Sequence, residues 1–222
     1  RVDVVETAHT GRTVTVVPAA AVPSTFMRLV GVNSLSMATP AQANEAIAGQ
    51  VQLEVVMVLD ISGSMNTNNR IANMRNAAAE LAETLFEGTE PGQVALSLVP
   101  YNDWVLPPAG FIAHFENLPA GSGACIDFQS WNSVTNSLSA AITRHSCNTT
   151  AWRRVVPYLH DLDSALGVIN AMQAGGTTSI DLGVRFGALF FDPDIRPAIT
   201  QMISNGDIDA VFEGRPMDWR AP

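Results

Sequence analysis

Five consecutive apolar residues, Val55-Val56-Met57-Val58-Leu59, run into Asp60-Ile61-Ser62-Gly63-Ser64-Met65, and this junction constrains the fold more than any other stretch. A run that is apolar at every position belongs to a strand covered on both faces, as inside a parallel sheet. The residues after it form the loop at the strand's carboxyl end, where ligands collect in open α/β sheets. Asp60, Ser62 and Ser64 place one carboxylate and two hydroxyls at alternate positions. All three are hard oxygen donors, suited to a small divalent cation such as Mg2+. Gly63 permits a tight or positive-φ backbone between the two serines.

The pattern around that junction is α/β. Ile71, Met74, Ala78, Leu81 and Leu85 recur at spacings of three and four and predict a helix, with Asn73, Asn76, Glu80, Glu83 and Glu87 on its other face. Gly88 and Pro91-Gly92 stop it, and Gln93–Tyr101 gives a second apolar strand, completing a βαβ unit. Residues 102–160, with Pro107-Pro108, Gly121-Ser122-Gly123 and many Ser and Asn, are too long for an ordinary loop and read as an insertion with structure of its own. Asp163 or Ser164 can cap a helix to Gln173, with Leu166, Ile169 and Met172 inward. Gly175-Gly176-Thr177-Thr178-Ser179 is a second polar loop, opening a helix Ile180–Phe191 that is apolar almost all round and so expected to be buried. A short helix Ile195–Ser204 follows. Before the α/β region, Val2–Val5 and Arg12–Val17 alternate around His9-Thr10-Gly11 as a hairpin, Thr25–Val32 is a short helix or strand, and Ala-rich Ser36–Gly49 reads as a linker. The division expected is therefore a β-containing region with linker over 1–49 and an α/β domain over 50–222.

Composition excludes some partners. The chain has 222 residues and a formal charge of −9, a poor basis for binding nucleic acid, which needs clustered Lys and Arg. No apolar stretch approaches the roughly 18–20 residues of a membrane-spanning helix. The chain opens on Arg1 without a signal-peptide pattern, so its natural start is expected to lie upstream. Cys125 and Cys147 lack close metal-pair spacing. They are either two unrelated thiols or a disulfide closing the insertion; we favour the disulfide, which implies an oxidising compartment. Asn148-Thr149-Thr150 matches a short N-glycosylation pattern that often arises by chance.

In the two polar loops, Val-Met-Val-Leu-Asp60-Ile-Ser62-Gly-Ser64-Met65 and the later Gly-Gly-Thr177-Thr-Ser resemble the metal-ion-dependent adhesion site of von Willebrand factor A domains. The resemblance implies a doubly wound, mostly parallel sheet flanked by helices. It implies that Ser62, Ser64 and Thr177 hold Mg2+ (or Mn2+ or Ca2+) directly or nearly so. Asp60 then acts mostly through water, and a partner's carboxylate fills the open position. The family also supplies a later Asp, commonly in Thr-Asp-Gly after an apolar run. No such run follows Gly176, and Asp207 and Asp209 are the only late candidates, so the domain is expected to be truncated at its C-terminal side with an exposed, aggregation-prone edge. Pro-Ser-Thr25-Phe-Met-Arg-Leu-Val-Gly31-Val, Val99-Pro-Tyr-Asn102 and Gly-Gly-Thr-Thr-Ser-Ile-Asp181-Leu-Gly are more narrowly similar to tight-adherence (Flp) pilus assembly proteins of the TadG type. That likeness implies a bacterial inner-membrane anchor upstream, an extracytoplasmic domain, and other pilus assembly components as partners.

Each residue has a plainer reading. Asp60, Ser62 and Ser64 can cap a turn or helix, and Thr177 or Thr178 can cap the helix after them. Asp181 is a first-turn helix acid answering the dipole, with a supporting role at a metal as the lesser reading. Asp207 and Asp209 read as surface acids. His9, His114, His145 and His160 have no ligand spacing. As an enzyme, Asp60 would be a phosphoryl-accepting nucleophile, but Ser62 stands where a proton-transferring acid is wanted. There is no G-x-S-x-G elbow and no P-loop. A binding module without catalytic residues is therefore expected, with a metal-independent assembly scaffold as the alternative.

Overall fold

The computed structural model describes residues 2–7, 11–16, 19–23, 34–38, 41–46, 52–118, 121–129 and 137–219, and before residue 52 only the backbone is considered. The chain forms two compact units, Arg1–Val51 and Gln52–Pro222. In the first, β1 (Val2–Thr7) and β2 (Gly11–Val16) pair antiparallel, with Val2 opposite Val16. β3 (Ala19–Pro23) pairs with β4 (Ser34–Ala38), and β5 (Ala41–Ala46) lies antiparallel on the other side of β2. The stretch read as an Ala-rich linker therefore carries strand structure. Alanine gives weak β signal, and in β5 backbone pairing to β2 decides the conformation. The expected element over 25–32, together with His9, lies outside the described residues.

The second unit is mixed α/β around a small sheet in the order β10-β7-β6. β6 (Leu53–Asp60) and β7 (Val94–Tyr101) are parallel, in a register running from Leu53 opposite Val94 to Asp60 opposite Tyr101. β10 (Val156–Leu159) is antiparallel to β7, with Val156 opposite Leu98. One parallel and one antiparallel pairing make the sheet mixed.

Both faces of the sheet are covered, which is why its strands lack alternation. Met57, Leu59, Val94, Leu96 and Leu98 pack with Ala78 and Ala82 of α1 (Arg70–Phe86) and with Ala165 and Ile169 of α2 (Leu162–Ala171). Ala95, Val99 and Tyr101 point the other way, into a core with Leu182 and Phe186 of α3 (Ile180–Ala188) and Ile199 of α4 (Arg196–Asn205). α3 lies close on the sheet because Gly183 and Gly187 face it: a Cβ on Gly187 would stand 2.8 Å from a Val58 methyl. In a close-packed core a side chain there would force its neighbours or the helix to shift.

Several helix faces differ from the sequence expectation. Leu81 is 46% exposed and Ala82 is buried, so the α1 stripe runs from Ala78 by four residues instead of three. α3 is not buried all round: Ile180 and Val184, one turn apart, are 60% and 53% exposed, and the helix tightens into a 3-10 turn at Leu189–Phe191. α2 is capped by Asp161, whose side chain accepts the Ser164 N–H, instead of by Asp163 or Ser164. α4 ends on Gly206 in the left-handed region.

The insertion is shorter than 102–160, because its last residues are β10, a strand of the main sheet. Its hairpin, β8 (Cys125–Phe128) and β9 (Ile142–His145), is antiparallel, and a disulfide joins Cys125 to Cys147. Phe111, Phe115, Ile126 and Phe128 enter the same core as α3, with Phe111 5.8 Å from Phe186 ring to ring. The insertion therefore completes the core on that face. No helix among the described residues is long and apolar enough to cross a membrane.

Candidate functional site

The parallel register sets Asp60 beside Tyr101, so the loops leaving β6 and β7 start side by side. Ile61 N–H donates to the Tyr101 carbonyl at 2.9 Å, carrying the pairing one residue past the strand. Asp60 Oδ1 then accepts the Ser62 N–H at 2.7 Å, a side-chain turn that aims the chain back over the strand end. The chain enters a 3-10 turn, Gly63–Asn66, and passes through Asn68 and Asn69, both at positive φ, into α1. Asn tolerates that region better than most residues.

Ser62 Oγ and Ser64 Oγ are 3.1 Å apart. Ser62 is fully buried and Ser64 is exposed, so the pair forms a hydroxyl edge reaching from the core to the surface. Neither hydroxyl caps a helix: the 3-10 turn has no side-chain cap, and the N-cap of α1 is Asn69.

The second loop is laced to the first by two backbone bonds. Gly175 N–H donates to the Ile61 carbonyl and Gly63 N–H donates to the Gly176 carbonyl, both at 2.9 Å. Thr177 follows immediately and is exposed. It does not cap α3; Ser179 occupies that position, without a side-chain cap bond. Gly176 is required twice over. Its φ is +83°, and a Cβ there would collide with Asp103 Oδ1 and come within 2.7 Å of Asn102 Nδ2.

Asn102 and Asp103 are the residues that sequence reasoning missed as site members. Asn102 is buried, and its Nδ2 donates to the Gly175 carbonyl at 2.7 Å. Its Oδ1 accepts from Arg153 Nη2, a guanidinium only 9% exposed whose Nε has no partner among the described residues. Ser179 N–H donates to the Asn102 carbonyl at 2.8 Å. The signal was available: Asn102-Asp103 stands at the carboxyl end of the second parallel strand, as Asp60 does at the first.

The other candidates have settings of their own. Asp209 accepts the Val211 N–H and caps a 3-10 turn, and Asp207 is exposed after α4. Asp181 is in the first turn of α3. Burial raises the pKa of Asp127, with the Asp181 charge adding a smaller push in the same direction. Burial, and after it the Asp60 charge, also raises that of Tyr101. His145 stacks on Trp104 at 3.6 Å, and His160 lies 6.0 Å from the Phe212 ring.

The two serine hydroxyls are spaced as a hydrogen-bonded pair, and that spacing can be set beside the edge of a small cation's shell. With Mg2+–oxygen distances of about 2.0–2.1 Å, adjacent corners of an octahedron lie about 2.9 Å apart. The Ser62–Ser64 separation of 3.1 Å is close to such an edge. Among the described residues no group of three His, Cys, Asp or Glu gathers as a metal site, and a site built on hydroxyls would not produce one. Comparison with protein-family models, curated proteins and solved structures finds no match.

Proposed function

We propose that this chain is a divalent-cation-dependent protein-binding module of the von Willebrand factor A type, on a doubly wound α/β plan. Ser62, Ser64 and Thr177 would hold Mg2+ (or Mn2+ or Ca2+), and Asp60 would act through a water. The observation that carries the reading is the 3.1 Å hydroxyl pair, used by no helix cap and tied to the Gly-Gly-Thr loop through Gly63 and Gly176. A cation held mainly by neutral hydroxyls keeps strong affinity for an anionic ligand. A partner carboxylate completing its shell would make docking specific and chelator-sensitive.

The reading is binding and not catalysis. Asp60 Oδ1 is engaged by the Ser62 N–H, and the residue two positions on is a hydroxyl, not a proton-transferring acid. The Cys125–Cys147 disulfide favours an oxidising, extracytoplasmic setting. The sequence resemblance adds the most specific proposal, a bacterial cell-envelope protein of tight-adherence pilus assembly that docks other components of that machinery. The test is capture of envelope proteins by the immobilised chain with Mg2+, with EDTA and with the Ser62→Ala/Ser64→Ala variant. Capture that needs both the cation and the serines supports the reading; capture indifferent to both overturns it in favour of a metal-independent scaffold.

A further inference from the structure

We propose that Asp103 is the second carboxylate of this cation site, an inference that rests on the cation reading of the serine loop. A dication held by three neutral hydroxyls needs compensating negative charge nearby. Asp60 supplies one carboxylate, with one oxygen already accepting the Ser62 N–H. Asp103 brings another against Gly176, in the loop laced to the serine loop. Its Oδ1 lies so close against Gly176 that a Cβ there would overlap it, and the Gly176 carbonyl accepts from Gly63, the residue between the two serines. One glycine thus separates the Asp103 carboxylate from the serine loop and directly precedes Thr177.

Asp103 is also held in place and left available. Its backbone carbonyl accepts from Ser179 Oγ at 3.4 Å. The preceding Asn102 is fixed by Gly175, Ser179 and the buried Arg153. The Asp103 carboxylate itself takes no hydrogen bond and makes no ion pair among the described residues, although Arg153 contacts its immediate neighbour. A carboxylate oriented by its backbone yet unused by the fold suits a ligand from outside. The three loops then contribute in parallel: carboxylate and hydroxyls from the β6 loop, a carboxylate from the β7 loop, and a hydroxyl from the loop before α3.

Calorimetric titration of the chain with Mg2+ and with Mn2+ tests this, using wild type, Asp103→Asn and Ser62→Ala/Ser64→Ala. Replacing the carboxylate by its near-isosteric amide is expected to weaken cation affinity about 10–100-fold, the range seen when groups supporting a metal are removed. A second measurement is independent of any loss in basal stability: a Mg2+ concentration that saturates wild type should raise its melting temperature clearly more than that of Asp103→Asn. Cation binding by Asp103→Asn within about twofold of wild type, with an equal thermal shift, overturns the assignment. If the serine variant alone loses binding, only Asp103 falls; if wild type binds neither cation, the cation reading falls with it.

Discussion

At the amino end of β6, Glu54 Oε1 accepts from Arg215 Nη1 and from the Met217 N–H, both at 2.9 Å, while Arg215 Nη2 donates to the Gly92 carbonyl. At the carboxyl end of the same strand, Asp60 accepts one backbone N–H, two serine hydroxyls meet only each other, and Asp103 accepts nothing through its carboxylate among the described residues. The first arrangement is a closed polar knot: both side chains of the ion pair are nearly buried, and the charge is matched within the chain. The second leaves oxygen donors grouped and unmatched. Polar groups that the fold satisfies fully hold it together, whereas grouped oxygens with few internal donors are where an outside cation has something to gain.

The contrast can be broken from either end. The largest effect is expected at the closed knot. Arg215→Met leaves Glu54 buried without its cation and should cost about 3–5 kcal/mol in urea unfolding. Mg2+ affinity of the folded fraction should stay as in wild type; a parallel loss of affinity would mean that the two ends are not independent.

Gly176→Ala should come next. It forces a side chain onto a left-handed backbone and into the Asn102–Asp103 pair, costing about 1–3 kcal/mol of stability. Unlike the Arg215 change, it should also abolish cation binding in calorimetry. Retained binding would show that the lacing of the two loops is not what organises the donors.

The smallest effect is expected at a helix cap that takes part in neither arrangement. Asp161→Ala removes the N-cap of α2 and should cost about 1 kcal/mol. Hydrogen bonding from the Ser164 N–H holds the Asp161 pKa below the usual carboxylate range, although burial opposes it. A carboxyl group with a lowered folded pKa stabilises above its unfolded value and loses that contribution as pH falls through the folded one. The gap between variant and wild type in urea unfolding should therefore narrow on acidification below about pH 4, modestly, because solvent screens an exposed charge. A gap that widens there would remove the cap as the cause.

The same contrast explains what could be read from the sequence. The Val55–Leu59 run announced a strand covered on both faces because cores on both sides demand apolar residues at every position. The Asp60-Ile61-Ser62-Gly63-Ser64 loop was legible because its chemistry is local. Arg215 and Glu54 were not, since 161 residues separate partners that only the fold brings together. Asp103 was overlooked because it heads a long irregular segment, although its place at the carboxyl end of the second parallel strand was readable. Leu81 and Ala82 show a further limit. Spacings of three and of four fit the helical period about equally well, so the pattern located the stripe but not its edge. The Ala-rich stretch before the α/β unit carried too little contrast to show its strands.

The most direct measurement is calorimetric titration of Mg2+ into the wild-type chain and into Ser62→Ala/Ser64→Ala, at equal protein concentration and with folding checked by circular dichroism. The account predicts saturable binding near one ion per chain in wild type and none in the folded double variant. Binding of equal strength in both, or no binding in folded wild type, would contradict it.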